Sequence, residues 1–431
     1  MRVLVVADGS RGDVQPMAVL ASALQREGHA VTVVAPPGMR SLIEARTLRF
    51  VPLAHDVELM LHSEAAAVVS GMRVMLKAAP QFFIDSLNSQ LQVLPELAKQ
   101  HDFILCGGVH AGIATVAQYA GIPWRWVIFS STLYPSSHHP PLTFPFGRAP
   151  RWVNYLAWQL TRLFTDRVLR RPINVGRKRL GLPRITDAAQ NVLCPNPILA
   201  MEPELAPIPP DWPQLDVIGY LDPGQGDPLP AAIEAFLAAG PAPIYIGFGS
   251  MTDPDPKERT RWFAQAAARV GARLIVSRGW AGFGEGLPPH CLAIGPVSHP
   301  RLFARVAAIV HHGGAGTTAA ATRAGKPQLV VPHIADQFHF ASTVHALGIA
   351  APPLRRTRLT EDRLAERLDQ LLHDATLRQR AHALGETLRA RPTLSNVSRL
   401  LVSHAEPAFE LGPPTAVVRL LSEGPVSQPP R

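Results

Sequence analysis

The stretch His311 to Gln337, HHGGAGTTAAATRAGKPQLVVPHIADQ, decides the fold. Just before it, Val306 to Val310 (VAAIV) is an unbroken apolar run, the pattern of a parallel strand buried on both faces. The run ends in His311 and His312. Gly313-Gly314-Ala315-Gly316 then turns the chain into Thr317, Thr318 and AAATRA, whose alanine-rich composition starts a helix. A strand, a glycine turn and a helix N-terminus make an anion site, because the backbone can come close, its N–H groups are unpaired and the helix dipole favours negative charge. Gly325-Lys326-Pro327 stops the helix and QLVVP is the next buried strand. Ala335-Asp336-Gln337 follow it, at the strand end where open α/β sheets place ligands. A phosphate cradle followed by a carboxylate and an amide fits a sugar nucleotide. For the HGGAG turn alone, a tight turn without ligand is an equal reading.

Working outward, the same alternation continues on both sides. APIYIGFGS (242–250) is a strand and glycine turn, WFAQAAARVG a helix, ARLIVSRGW a strand and CLAIGPV a short strand. Beyond the organising unit, residues 359–390 form one long helical run with Thr360 and Glu361 near its start, and SNVSRLLVSHAEP predicts one more helix. In the first half, RVLVVA (2–7) is a strand, DGSRGDVQP a loop, MAVLASALQREG a helix ending at Gly28, and HAVTVVAPP the second strand. DFILCGG (102–108), AGIATVAQYAG and PWRWVIFSS repeat the βαβ pattern. The fold class is therefore α/β, with two doubly wound parallel-sheet domains. A proline-rich loop runs from Tyr134 to Pro150, helical patterning returns for 151–181, and Pro, Gly and Asp crowd into 206–230. The expected division is 1–215, a linker 216–240, 241–394, a final helix within 395–410 and a flexible tail 411–431.

Composition sets the outer bounds. At 431 residues the chain holds two ordinary domains, and 47% apolar with 17% charged residues indicates a soluble globular protein. No run reaches the ~18 to 20 apolar residues of a membrane span, and MRVLVVADGS reads as a first strand rather than a signal peptide. Cys106, Cys194 and Cys291 are odd in number and far apart, so they are expected to be core thiols in a reducing cytoplasm. The net charge of +9 is concentrated in arginines between 151 and 186. With no interleaved aromatic platform there, nucleic acid is not the expected partner. A solvated helical face is the first reading of that stretch. Peripheral contact with a membrane is the second, since Trp152, Tyr155, Trp158 and Phe164 lie beside the arginines.

Several residues beyond the organising unit carry chemistry. In GSRGDVQP, Asp13 sits where a helix begins, and on residues alone it reads as an N-cap aspartate. Arg11 beside it reads equally as a solvated arginine or as a group facing a ligand. His110 follows the strand 102–108 into the same crevice and reads first as structural. His138 and His139 in PSSHHPP suggest metal only until a third ligand is sought, and none has suitable spacing. No metal is expected. Trp280 in SRGW reads as core packing or as a pocket wall.

The ordered set His312, Gly314, Gly316, Thr317, Pro332, Asp336, Gln337, together with GSRGDVQP and PSSHHPP, resembles family 1 nucleotide-sugar-dependent glycosyltransferases, the UDP-glycosyltransferase superfamily. The nearest forms are the bacterial glycopeptide-antibiotic (vancomycin-type) and sterol glucosyltransferases, and the resemblance covers about residues 1 to 405. It implies the GT-B architecture, two Rossmann-like domains facing across a cleft. The first would bind the acceptor, the second the nucleotide sugar, and the final helix would cross back onto the first. It implies an inverting, metal-independent, cytoplasmic enzyme without cofactor, moving a hexose from a UDP- or TDP-sugar to a hydroxyl of a hydrophobic natural product or lipid. By resemblance Asp13 is the general base, where plant-type relatives carry histidine. His312 meets the diphosphate with the N–H groups of Gly314, Gly316 and Thr317, while Gly249 and Ser250 touch it from the neighbouring turn. Trp280 and Val297 line the base pocket, His299 lies near the ribose, and Asp336 and Gln337 bind sugar hydroxyls. Arg11, His110, His138 and His139 fall on the acceptor side. The plant-type ribose-binding glutamate is replaced by Ala320, which leaves thymidine-type donors open. A monomer or a homodimer would serve. A two-domain sugar-nucleotide epimerase and a non-catalytic donor-binding partner are the alternatives, and the RGD loop and the intact Asp13, His312, Asp336 and Gln337 argue against them.

Overall fold

Strands β1 (Arg2–Asp8), β2 (Ala30–Ala35), β3 (Arg49–Pro52), β4 (Phe103–Gly108), β5 (Trp124–Ile128), β6 (Ile198–Leu199) and β7 (Asp216–Val217) form one sheet in the order β3-β2-β1-β4-β5-β6-β7. Strands β8 (Ile244–Gly247), β9 (Leu274–Ser277), β10 (Cys291–Ile294), β11 (Ala308–His311) and β12 (Gln328–Val330) form a second, in the order β10-β9-β8-β11-β12. Every pairing is parallel. The computed structural model describes residues 1–55, 72–142, 144, 149–212, 215–224, 226–391, 394 and 396–401, with 72–79 as backbone alone.

The two-sided burial read from the apolar runs is met. Val3 to Ala7 of β1 and Ala308 to His311 of β11 are fully buried, as parallel strands covered on both faces must be. Strand order reverses at β1, between β2 and β4, and at β8, between β9 and β11. Those two points are where the loops after adjacent strands diverge and open a crevice. Register puts Asp8 beside Gly108 at the first and His311 beside Gly247 at the second.

Capping defines the helix starts more sharply than periodicity does. Helix Ala315–Arg323 begins immediately after Gly314, two residues before the threonines. The long run 359–390 is two helices, Glu361–His373 and Ala375–Ala390, because Asp374 ends one and its side chain accepts the Leu377 N–H of the next. Within 216–240, the first two residues pair with β6, and Ala231–Ala238 is a helix whose Ile233 and Leu237 pack on Tyr245 and Ile275 of the second sheet.

The described part of the final segment is a 3-10 helix, Val397–Leu401, lying against the first unit. Glu27 accepts the N–H groups of Val397 (2.9 Å) and Ser398 (2.7 Å), and the Leu400 carbonyl accepts from Arg125 at 3.3 Å. Residues 402–431, and with them the expected tail, lie outside the described residues.

A buried ion cluster also joins the units. Glu202 of the first, 3% exposed, receives Arg323 at 2.9 Å and Arg391 at 3.4 Å, and Arg391 also reaches Glu204. Removing one partner of a buried pair leaves an uncompensated charge. Glu202→Ala is therefore expected to cost about 3 kcal/mol of stability. It should lower Tm clearly in a thermal melt, whereas Glu44→Ala, which breaks only the exposed Arg40 pair, leaves Tm in place.

Candidate active site

Ser10, not Asp13, is the N-cap of helix Arg11–Arg26. Asp13 stands three residues on and reaches back, so that Oδ2 accepts the Ser10 N–H (2.9 Å) and hydroxyl (3.1 Å) in a capping box. Both bonds go to one oxygen. A side chain at Gly9 would strike the Asp13 carboxylate at 2.4 Å, so glycine is what admits the carboxylate there. Asp13 is half-buried, and loss of solvation pushes its pKa up to about 6 against the hydrogen bonds from Ser10.

Behind it lies a carboxylate the sequence reading missed. Asp8, at the end of β1, is fully buried and accepts from Ser86 Oγ and from Gln90 Nε2 (2.8 Å). His55 Nε2 lies 3.0 Å from its other oxygen. The charge of Asp8 adds to the upward push on Asp13. A buried Asp ending an apolar strand was the available signal, since such a group needs partners.

On the second unit, His311 and His312 divide the work. His311 is fully buried, its Nδ1 accepts the Gly313 N–H (3.1 Å) and its Nε2 donates to Gln328 Oε1 (3.0 Å). It locks the turn. Gly313 has φ +92° and lies against Val330 and the Gln337 backbone, which only glycine permits. His312 lies between two glycine turns, with its ring 2.5 Å from where a Gly314 Cβ would stand and 3.2 Å from that of Gly249. Its Nδ1 is buried without a hydrogen-bond partner among the described residues. Burial first, then the neighbouring His311, His333 and His299, holds its pKa well below the ordinary histidine value, so the ligand-free ring is neutral. The Gly316 N–H and Thr317 stand in the first turn of the following helix.

Asp336 caps helix Gln337–Ala346 after Ala335, a non-glycine residue at φ +54°. Strain of this kind is sustained only where surrounding structure fixes the loop. Desolvation, and then the charge of Asp13, raises the Asp336 pKa to about 7. The charge of Asp13 in the first unit thus acts on Asp336 in the second. Ser131 Oγ and His339 Nε2 meet at 3.3 Å, again one from each unit. Gln337 is buried, with Oε1 accepting the N–H groups of His333 (2.8 Å) and Ile334 (3.1 Å) and Nε2 donating to Met251 Sδ at 3.4 Å.

The remaining candidates are distributed around this centre. Ser250 follows Gly249, whose carbonyl accepts the Trp280 N–H at 3.0 Å, joining the two loops, and the Trp280 ring is partly exposed. Val297 packs with Tyr245 and Phe303 on the other side. His299 stacks on Phe303 (4.4 Å between centroids), and burial followed by the charge of Arg11 lowers its pKa to about 4. Arg11 therefore reaches toward the second unit while its Nε donates to Gln15. His110 is held between the Gly108 and Val192 carbonyls (3.1 and 2.9 Å) and lies 4.0 Å from the Trp126 ring, a structural placement. The PSSHHPP loop is tied down by Asp211, which accepts from Ser136 and Ser137, and by Trp158 and Asn154, which donate to the His139 and Ser137 carbonyls. His139 is buried with its ring edge-on to Trp158 and Trp212, and His138 is exposed beside Arg151. Among the described residues, no three His, Cys, Asp or Glu side chains gather as a metal site.

Comparison with known proteins agrees with this geometry. Residues 3–124 match the model for the glycosyltransferase family 28 N-terminal domain, and 262–403 match that of the erythromycin biosynthesis protein CIII-like C-terminal domain. The chain is 34% identical over 359 residues to glycosyltransferase GtfE of Amycolatopsis orientalis, spanning 81% of this chain and 85% of that one. It is 32% identical over 357 residues to the vancomycin aglycone glucosyltransferase of the same organism, with the same coverage. The solved structure of glycosyltransferase VinC in complex with dTDP superposes with a TM-score of 0.69 at 22% identity, covering 94% of this chain and 99% of that one. That likeness establishes the GT-B fold for the two sheets described above.

Proposed function

Since the chain belongs to the glycosyltransferase family that includes GtfE and the vancomycin aglycone glucosyltransferase, we propose that it moves a hexose from a UDP- or TDP-sugar to a hydroxyl of a hydrophobic natural product or lipid, with inversion and without a metal. The unit 1–215 receives the acceptor and 241–394 the donor. The acceptor oxygen attacks the anomeric carbon, its proton passes to Asp13 Oδ1, and the bond from that carbon to the diphosphate oxygen breaks. His312 and the N–H groups of Gly314, Gly316 and Thr317 receive the leaving charge, assisted by Gly249 and Ser250. Asp336 and the Gln337 amide orient the hexose, while Trp280 and Val297 hold the base with His299 beyond them. Arg11 and the His138–His139 loop border the acceptor, and His110 supports the wall behind.

The observations that carry this reading are that the charge of Asp13 in the first unit acts on Asp336 in the second, and that His312 lies between the glycine turns at 249 and 314. A base near pH 6 is well matched to neutral operation, since it is ionised at pH 7 yet more basic than an ordinary aspartate. The dTDP named with VinC and the aglycone named for the Amycolatopsis enzyme favour a TDP- or UDP-sugar and a natural-product acceptor.

Thermal melts with UDP-glucose, TDP-glucose, a GDP-sugar and the free diphosphates test the donor site. One uridine or thymidine donor should raise Tm, by about 2.7 kcal/mol of stabilisation at a hundredfold excess over Kd. Unchanged Tm with every nucleotide would remove the donor assignment.

A further inference from the structure

Helix Arg151–Arg179 has a wet face that its neighbours do not explain. Its inner side is ordinary core, with Asn154, Ala157, Leu169 and Ile173 buried. Outward it presents Trp152 (65% exposed), Leu156 (50%), Leu160 (60%), Leu163 (66%) and Phe164 (38%). The spacings of four, four, three and one put these five on one side of three helical turns. Among the described residues, the other large exposed apolar side chains are Met1, Ile208 and Val175, the last on this same helix. The stripe of Trp152, Leu156, Leu160, Leu163 and Phe164 thus faces away from the protein core.

The same side changes character toward the C-terminal end. Arg167, Arg170, Arg171 and Lys178 are exposed on the continuation of the stripe. Arg170 pairs with Asp166 at 3.4 Å, whereas Arg167, Arg171 and Lys178 meet no carboxylate among the described residues. Three apolar turns followed by uncompensated cations, in a chain of net charge +9, complement a surface that is greasy below and anionic above. The stripe lies along the helix for roughly 18 Å, the dimension of an in-plane contact. No helix among the described residues is long and apolar enough to cross a membrane.

We propose that this face docks the protein on an anionic lipid bilayer, with Trp152, the leucines and Phe164 in the headgroup–acyl boundary and the arginines against lipid phosphates. Nucleic acid would leave Leu156, Leu160 and Leu163 without a role. A second copy burying the entire face would oppose like charges. The inner side of the helix adds a consequence, because Asn154 and Trp158 hold the Ser137 and His139 carbonyls at 3.0 Å each. Docking therefore sets the PSSHHPP loop at the bilayer, where a lipid-soluble acceptor is concentrated. The docking itself does not depend on which acceptor is used.

Co-sedimentation with extruded vesicles tests this. The protein should pellet with phosphatidylcholine vesicles containing 30% phosphatidylglycerol, at least ~10-fold more than with phosphatidylcholine alone, and 0.5 M NaCl should release it. The triple variants Leu156→Glu/Leu160→Glu/Leu163→Glu and Arg167→Glu/Arg171→Glu/Lys178→Glu should each lose at least ~10-fold of the binding while keeping the nucleotide-induced rise in Tm. Brominated lipid should quench tryptophan fluorescence in the wild type, and much less in Trp152→Phe. Wild-type protein staying in the supernatant with anionic vesicles, or variants binding as the wild type does, would overturn the proposal. So would a wild-type dimer in light scattering that the leucine variant converts to monomer without any vesicle binding, since a second copy would then be the occupant.

Discussion

Asp13→Asn lowers kcat/KM for glycosyl transfer by ~10² to 10⁴ and leaves the Kd of the nucleotide donor within about twofold. The substitution keeps shape and one hydrogen-bond acceptor for Ser10, so the capping box and helix Arg11–Arg26 survive. What is lost is the proton acceptor at Oδ1. In the wild type the rate should rise with pH through a midpoint near 6, because the base works only when ionised and burial holds its pKa there. Asp8→Asn then provides an internal check. Removing that charge relieves a repulsion that holds the Asp13 pKa up, so the acid limb should move below pH 6. A limb unmoved by Asp8→Asn, or activity of Asp13→Asn near that of the wild type, would remove Asp13 from the role of base.

The same two carboxylates leave a stability signature with a definite sign. Both hold their protons at higher pH when folded, about 6 and about 7, than an unfolded aspartate does at ~3.9. Between those values the folded state binds more protons than the unfolded one. Stability from this pair is therefore greatest at low pH and declines as pH rises through 7. The double variant Asp13→Asn/Asp336→Asn should lose that decline, which chemical denaturation at pH 5 and 8 would read directly.

How much of this was legible in the sequence depends on whether a residue acts through its neighbours in the chain. Parallel strands announced themselves, because burial on both faces demands runs such as VLVVA and VAAIV, and the glycine turn at 313–316 carries its own reason for being glycine. On residues alone Asp13 was findable only as a helix-start aspartate, and the family resemblance made it the expected base. Its elevated pKa depends on Asp8 and on enclosure by a second unit some 320 residues away, which no local pattern encodes. Asp8 itself was read as the first residue of a loop although it ends β1, and the partners that satisfy it, Ser86 and Gln90, come from a distant helix. Of the HH pair, the sequence reading named His312 and gave His311 no role. Strand alternation separates them, sending His311 into the sheet to brace Gly313 and His312 into the cleft. In 151–165 the sequence placed aromatic residues beside arginines, but only exposure shows Trp152 and Phe164 on one outward stripe with Leu156, Leu160 and Leu163.

His312→Ala should raise the Kd of the nucleotide diphosphate ~10- to 100-fold and lower kcat by ~10² to 10³, the effect of losing a charge-assisted hydrogen bond that strengthens as the leaving group departs. The imidazole supplies an unpartnered Nδ1 at a site that glycine keeps open, so the ring is prepared for a ligand before one arrives. Gly314→Ala separates this role from general damage. The new Cβ would lie 2.5 Å from His312 Nε2, displacing the ring while leaving the histidine in place, and should reproduce much of the loss. His311→Ala should instead act mainly on stability, because it frees the Gly313 N–H and the Gln328 carbonyl oxygen in the core. The pH dependence of binding gives the third arm. His312 is neutral in the free protein, and a bound diphosphate raises its pKa, so donor affinity in the wild type should tighten as pH falls below the bound-state value. In His312→Ala that dependence should flatten. Isothermal titration with the free diphosphate between pH 5 and 8 measures it, and an unchanged slope in the variant would assign the contact to the backbone N–H groups alone.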